Sequence, residues 1–96
     1  ALGEFKQAIA LEPGFFQAYL DGGRLLLEEL DRLEEAAAWL REAVRLQPGS
    51  ALARYYLALA YALSWNRAGA WKQYLVLQTE NPELAAQLAV TLERCH

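Results

Sequence analysis

Ala36-Ala37-Ala38-Trp39-Leu40-Arg41-Glu42-Ala43-Val44-Arg45-Leu46-Gln47-Pro48 decides how this chain folds, because its pattern of small, apolar and charged residues closing on a proline occurs three times. An earlier copy runs from Ala1 through Phe5 to Pro13, and a later one from Ala70 through Tyr74 and Leu77 to Pro82. The prolines at 13, 48 and 82 are spaced by 35 and then 34 residues. A fixed period in this range is the signature of a stacked array: no unit buries its apolar face alone, and stacking supplies the core.

The segments between the prolines read as helices. Leu2, Phe5, Ala8, Ile9 and Leu11 fall at helical spacing on one side of the first segment, with Glu4, Lys6 and Gln7 on the other. Pro13-Gly14 ends it, since proline lacks the amide proton of a continuing helix. A second helix spans Phe16 to Glu29 around the pair Gly22-Gly23. Two successive mid-helix glycines each cost roughly 1 kcal/mol relative to alanine, which implies a close helix approach or a local bend. Asp31 followed by Glu34 reads as an N-cap with its capping-box partner, starting a third helix near Arg32 that ends before Pro48-Gly49. Ser50 caps a fourth helix to Leu63, apolar nearly all round apart from Arg54 and therefore expected to be contacted on several sides. Asn66 caps a fifth, Arg67 to Glu80, with Trp71, Tyr74, Leu75 and Leu77 as its expected core. Asn81-Pro82-Glu83 supplies a cap, a first-turn proline and a first-turn acid for a sixth helix to Arg94. No strand-like alternation bounded by turns is present. The expected fold is all-α, with six short helices whose sequential neighbours run antiparallel.

The phased copies resemble the tetratricopeptide repeat family, whose 34-residue pattern is W-x2-L-G-x2-Y, then A-x3-F, then P. Leu57-Ala58 stands at the Leu-Gly pair, Tyr61 at the tyrosine, Ala70 and Tyr74 at the A-x3-F element, and Pro82 at the proline, while Arg54 replaces the leading aromatic. In the preceding repeat these positions hold Tyr19, Gly22-Gly23, Leu26, Ala36, Leu40 and Pro48. Gly22 there removes a core leucine, and the longer spacing places one extra residue in the Glu28 to Asp31 turn. Ala1, Phe5 and Pro13 match the closing half of an earlier repeat. The resemblance implies an α-solenoid of antiparallel helix pairs, a tetratricopeptide superhelix forming one domain. Its parts are the second helix of a partial repeat (residues 1–14), full repeats at 15–48 and 49–82, and a trailing or capping helix at 83–96.

The totals exclude several functions. At 96 residues, 55% of them apolar and 22% charged, the chain has room for one small domain. A net charge of −3 with scattered basic residues argues against a nucleic-acid footprint. The longest charge-free run, 12 residues from Tyr55 to Asn66, is well short of the roughly 20 needed to cross a bilayer, so membrane insertion is not expected. Cys95 alone allows neither an internal disulfide nor a zinc cluster. The single histidine, His96, is the last residue, and an end position favours fraying over a ligand pair with Cys95. Glu28-Glu29 and Glu34-Glu35 read as solvated helix faces rather than acid–base pairs, and no glycine-rich phosphate loop occurs. No catalytic residue, metal site or cofactor is therefore expected. The compartment stays open, the cytoplasm being slightly favoured; the absence of an initiating methionine suggests a fragment of a longer protein whose targeting signals lie elsewhere.

By the same resemblance, the first helix of each pair lines a concave groove that holds a partner segment. The corresponding positions are Gln17, Leu20, Asp21, Arg24 and Leu27, then Leu52, Tyr55, Tyr56, Leu59 and Ala62, with Ala86, Ala89, Val90 and Glu93 on the trailing helix. Co-chaperone members grip a C-terminal carboxylate with lysine, arginine and asparagine at such places; here Arg24 is the only cation. The expected ligand is instead the apolar side of an amphipathic helix or an extended apolar segment of a partner protein. The alternative is self-association through Leu2, Phe5 and Ile9, since the first helix lacks the partner that would precede it. Of the tryptophans, Trp39 suits either packing or partner contact, Trp71 the core, and Trp65 the cover of a helix end.

Overall fold

The computed structural model describes residues 2–94. Among these residues the chain is all-helical, in the order α1 (Leu2–Leu11), α2 (Phe16–Glu28), α3 (Leu33–Leu46), α4 (Ala51–Leu63), α5 (Arg67–Glu80) and α6 (Pro82–Arg94). Ala1, Cys95 and His96, which the sequence reading assigned to a repeat position and to a chain end, lie outside the described residues.

Short polar side chains begin the later helices by accepting amide protons that no helical carbonyl can reach. Ser50 Oγ accepts from the Ala53 N–H at 3.3 Å, Asn66 Oδ1 from Gly69 at 3.0 Å and Asn81 Oδ1 from Leu84 at 3.2 Å. The expected cap at Asp31 does not form. Arg32 occupies the N-cap position of α3 without a side-chain bond, and Asp31 instead adopts a left-handed φ of 52°. An aspartate tolerates that conformation better than most residues, so it serves the end of α2 rather than the start of α3.

The two turns between paired helices differ by one residue. At the end of α4 the Trp65 N–H donates to Ala62 O at 3.3 Å and the Asn66 N–H to Tyr61 O at 2.7 Å, while Trp65 holds φ at 67°. This is the paired-bond ending in which a left-handed residue, usually glycine, closes the helix. At the end of α2 the matching bond runs from the Arg32 N–H to Leu26 O at 2.9 Å, spanning one residue more. The extra residue in the 35-residue spacing sits there.

Each helix packs on the next in sequence, and α4 also touches α2 and α6. Among the described residues α1 does not reach α3, nor α3 α5. The helices therefore form two layers, with α2, α4 and α6 drawn together and α1, α3 and α5 splayed apart, so the layer of α2, α4 and α6 is the concave one. The nearly all-apolar α4 sits at the centre, against α2, α3, α5 and α6, which explains why its sequence offers so little polar surface.

The largest fully buried side chains are Leu26, Leu40, Leu57, Leu77 and Leu88. Each contributes about 1.5–3 kcal/mol by leaving water. Alanines at 36, 43, 53, 58, 60 and 70, all 0% exposed, let the helix backbones approach between these leucines. The Gly22-Gly23 pair marks a close approach rather than a bend: a Cβ on Gly22 would collide with the Trp39 ring, and one on Gly23 would lie 2.6 Å from Leu40 Cγ. The leucine missing at Gly22 is thus replaced from across the interface by Trp39, whose ring stands edge-on to Tyr19 at 6.0 Å and 72°.

The outer layer departs from expectation in α5. Trp71 is 48% and Leu75 60% exposed, so neither belongs to the core. Among the described residues only α4 and α6 cover α5, which buries the strip containing Ala70 and Leu77 and leaves the other side open. Leu11, expected on the apolar side of α1, is 84% exposed at that helix's end, where only α2 packs on α1.

Candidate concave binding face

The concave layer gathers side chains from three helices. Gln17, Asp21 and Arg24 come from α2, Leu52, Tyr55, Tyr56 and Leu59 from α4, and Ala86, Ala89, Val90 and Glu93 from α6. Helical spacing of three and four residues puts the members of each set along one side of their helix.

The α2–α4 seam is built on a cation–aromatic stack. The Arg24 guanidinium lies over the Tyr56 ring, 5.0 Å from its centroid, and Tyr56 in turn meets Tyr55 edge-on at 5.4 Å and 75°. A cation over an aromatic face is held by the ring quadrupole. Arg24 Nε is buried there without a hydrogen-bond partner among the described residues. Beside it, Gln17 Nε2 donates to Asp21 Oδ1 at 3.0 Å, one helical turn away. Burial, and after it the neighbouring Tyr56, push the Tyr55 hydroxyl above the ordinary tyrosine value, so it stays protonated as a hydrogen-bond donor.

Not every expected groove residue reaches the surface. Leu20 and Leu27 are 4% and 7% exposed and belong to the core cluster with Leu26, Leu40 and Leu57, against which Tyr56 and Leu59 also pack. They underlie the face instead of lining it. The open apolar surface is carried by Leu52 at 40% exposed and Val90 at 51%, and Tyr55, Leu59 and Ala89 are half-buried. At the far end the face runs into a cleft of about 310 Å³ bounded by Ala62, Trp71, Tyr74, Ala89, Leu92 and Glu93. On its α5 side Trp71 meets Tyr74 edge-on at 5.0 Å and 89°. Trp71, expected in the core, is instead exposed; its position three residues, about one turn, before Tyr74 is the signal that the two rings share a surface.

The face at the start of the chain is of another kind. Leu2, Phe5 and Ile9 are all half-buried, and α1 contains no buried residue. Phe5 borders an open cleft with Asp21, Arg24 and Glu28.

No group of three His, Cys, Asp or Glu that could hold a metal ion occurs among the described residues, and no described helix is long and apolar enough to cross a membrane. Comparison with known proteins finds no matching family model, no matching curated protein and no matching solved structure.

Proposed function

We propose that the chain is a tetratricopeptide-like module that binds a protein partner without catalysis, laying the apolar side of an amphipathic helix, or an extended apolar segment, along the α4–α6 side of the concave layer. The observation that carries this reading is the set of exposed and half-buried apolar side chains on two helices in contact, Leu52, Tyr55 and Leu59 on α4 and Ala89 and Val90 on α6. Phenol hydroxyls at its edge supply directional bonds, and rigid rings supply contact area at small entropic cost. Titration with an uncharged amphipathic helix, leucine on one side and glutamine on the other, followed by amide chemical shifts, is expected to perturb Leu52, Tyr55, Leu59 and Ala89. Tyr55→Ala and Leu59→Asp should each abolish the perturbation while circular dichroism stays helical. Retained binding by both variants would reject this face.

Self-association is the second reading, favoured by the half-exposed Leu2, Phe5 and Ile9 on a helix that buries nothing fully. Light scattering then shows a mass that rises with concentration and falls on Phe5→Glu. A constant monomer mass removes this reading and leaves the concave face free.

A further inference from the structure

The edge formed by the α2–α3 and α4–α5 turns carries a second surface, apart from the concave face. Trp65 is 75% exposed there, Leu63 44% and Leu30 42%. Between the turns lies an open cleft of about 540 Å³, lined by Leu33, Leu63 and Trp65 together with Asp31, Glu34, Glu35 and the cation Arg32. Neither packing nor backbone geometry asks for tryptophan at 65. The residue closes α4 at a φ of 67°, where glycine fits without strain, and its ring buries too little to compensate. A bulky residue that breaks a local rule without a gain to the fold belongs to a functional surface more often than to the core.

The charge around the cleft identifies what covers it. Glu28, Glu29, Asp31, Glu34 and Glu35 are all exposed along the α2–α3 turn, with Arg32 as the one cation among them; Arg67 opens α5 beyond Trp65. An exposed indole beside this carboxylate row suits a lysine or arginine twice over, through its methylene stem and through its charge over the ring. We infer that this edge docks a basic amphipathic segment of a partner protein, an apolar side chain seated between Leu63 and Trp65 and its cations on Asp31, Glu34 and Glu35. Complementary charge sets which partners approach and how fast, and the apolar seat sets how long they stay.

The test uses two synthetic amphipathic peptides of one length, leucine on one side and either lysine or glutamate on the other, titrated into the full chain. The lysine peptide is expected to bind the edge and shift the amide signals of Leu63 and Glu34, with affinity falling as salt rises; the glutamate peptide, whose leucine side the concave face can hold, should leave those two signals unmoved. Trp65→Gly should weaken the lysine peptide at least tenfold while the chain melts no lower than the parent. Glu34→Gln with Glu35→Gln should weaken it severalfold and flatten the salt dependence. Leu59→Asp, in the concave face, should leave this binding within twofold. Trp65→Gly binding within twofold of the parent, read at Leu63 and Glu34, overturns the inference, as does equal perturbation of those two signals by both peptides. Loss on Leu59→Asp with none on Trp65→Gly assigns the peptide to the concave face, and rejects the edge while upholding the other site.

Discussion

The two complete hairpins solve one packing problem with opposite chemistry. In α2–α3, Tyr19 and Trp39 face each other ring against edge, and the Trp39 ring fills the space above Gly22. In α4–α5 the same two repeat positions hold Arg54 and Gln73, joined by a 2.9 Å hydrogen bond from Arg54 Nη1, and Leu57 at 2% exposed fills its own space. Arg54 also donates from Nη2 to the Pro48 carbonyl at 3.1 Å and lies 3.8 Å from Glu80 Oε2. One hairpin closes on aromatic volume and the other on a half-buried polar bridge. The lesson is that the repeat fixes positions to be filled, while the filling is exchanged in sets.

Exchange in sets has a large measurable consequence at Gly22. Gly22→Leu places there the leucine that Leu57 supplies in α4 but drives a side chain into the Trp39 ring, and should cost about 3 kcal/mol in urea unfolding, at the upper end of overpacking. With Trp39→Gln in the same chain the penalty should mostly disappear, giving a coupling of about 2 kcal/mol between sites in contact. Equal cost of Gly22→Leu in both backgrounds would show that Trp39 does not fill that space.

The polar hairpin should respond less. Gln73→Leu leaves one guanidinium donor of Arg54 without its partner in a half-buried site, at about 1–2 kcal/mol. Arg54 keeps the Pro48 carbonyl, which limits the loss. Replacing both, Arg54→Leu with Gln73→Leu, should come closer to the parent than the single change, because no half-buried donor is then left over and Pro48 and Glu80, both exposed, can turn to water. If the double variant is the less stable, the bridge contributes more than its desolvation costs and the two hairpins are not alternatives.

What was legible in the sequence, and what was not, follows from whether an effect is local. Ser50, Asn66 and Asn81 cap their helices within three residues, so type and spacing sufficed. The leucines at 26, 40, 57 and 77 were legible because the repeat places them. Asp31 misled because aspartate serves both a helix start and a left-handed helix end, and only the Leu26 carbonyl accepting from Arg32 tells them apart. Trp71 and Leu75 misled because α5 carries apolar residues on more than one side, and the number of neighbours decides which side is covered. Leu20 and Leu27 were assigned to the concave face by position alone. Contact with Tyr56 and Leu59 drew them into the core, which pattern does not report.

The smallest expected effects compare the two turns. Asp31 and Trp65 both hold a left-handed backbone at the end of the first helix of a pair, with φ of 52° and 67°. Left-handed geometry costs an ordinary side chain about 1–2 kcal/mol, less for aspartate, and glycine returns about 0.5–1 kcal/mol of that through its freer unfolded chain. Trp65→Gly should therefore stabilise by about 0.5–1 kcal/mol, raising the melting temperature of a domain this size by a few degrees. Asp31→Gly should change stability by no more than about 0.5 kcal/mol in either direction. Thermal melts of the two variants against the parent separate the turns. A gain confined to Trp65→Gly means that the fold carries the indole at a cost and that its use lies outside the fold. A loss at Trp65 means that the ring holds a contact stabilising the α4–α5 turn, and the case for a docking edge at Trp65 falls with it.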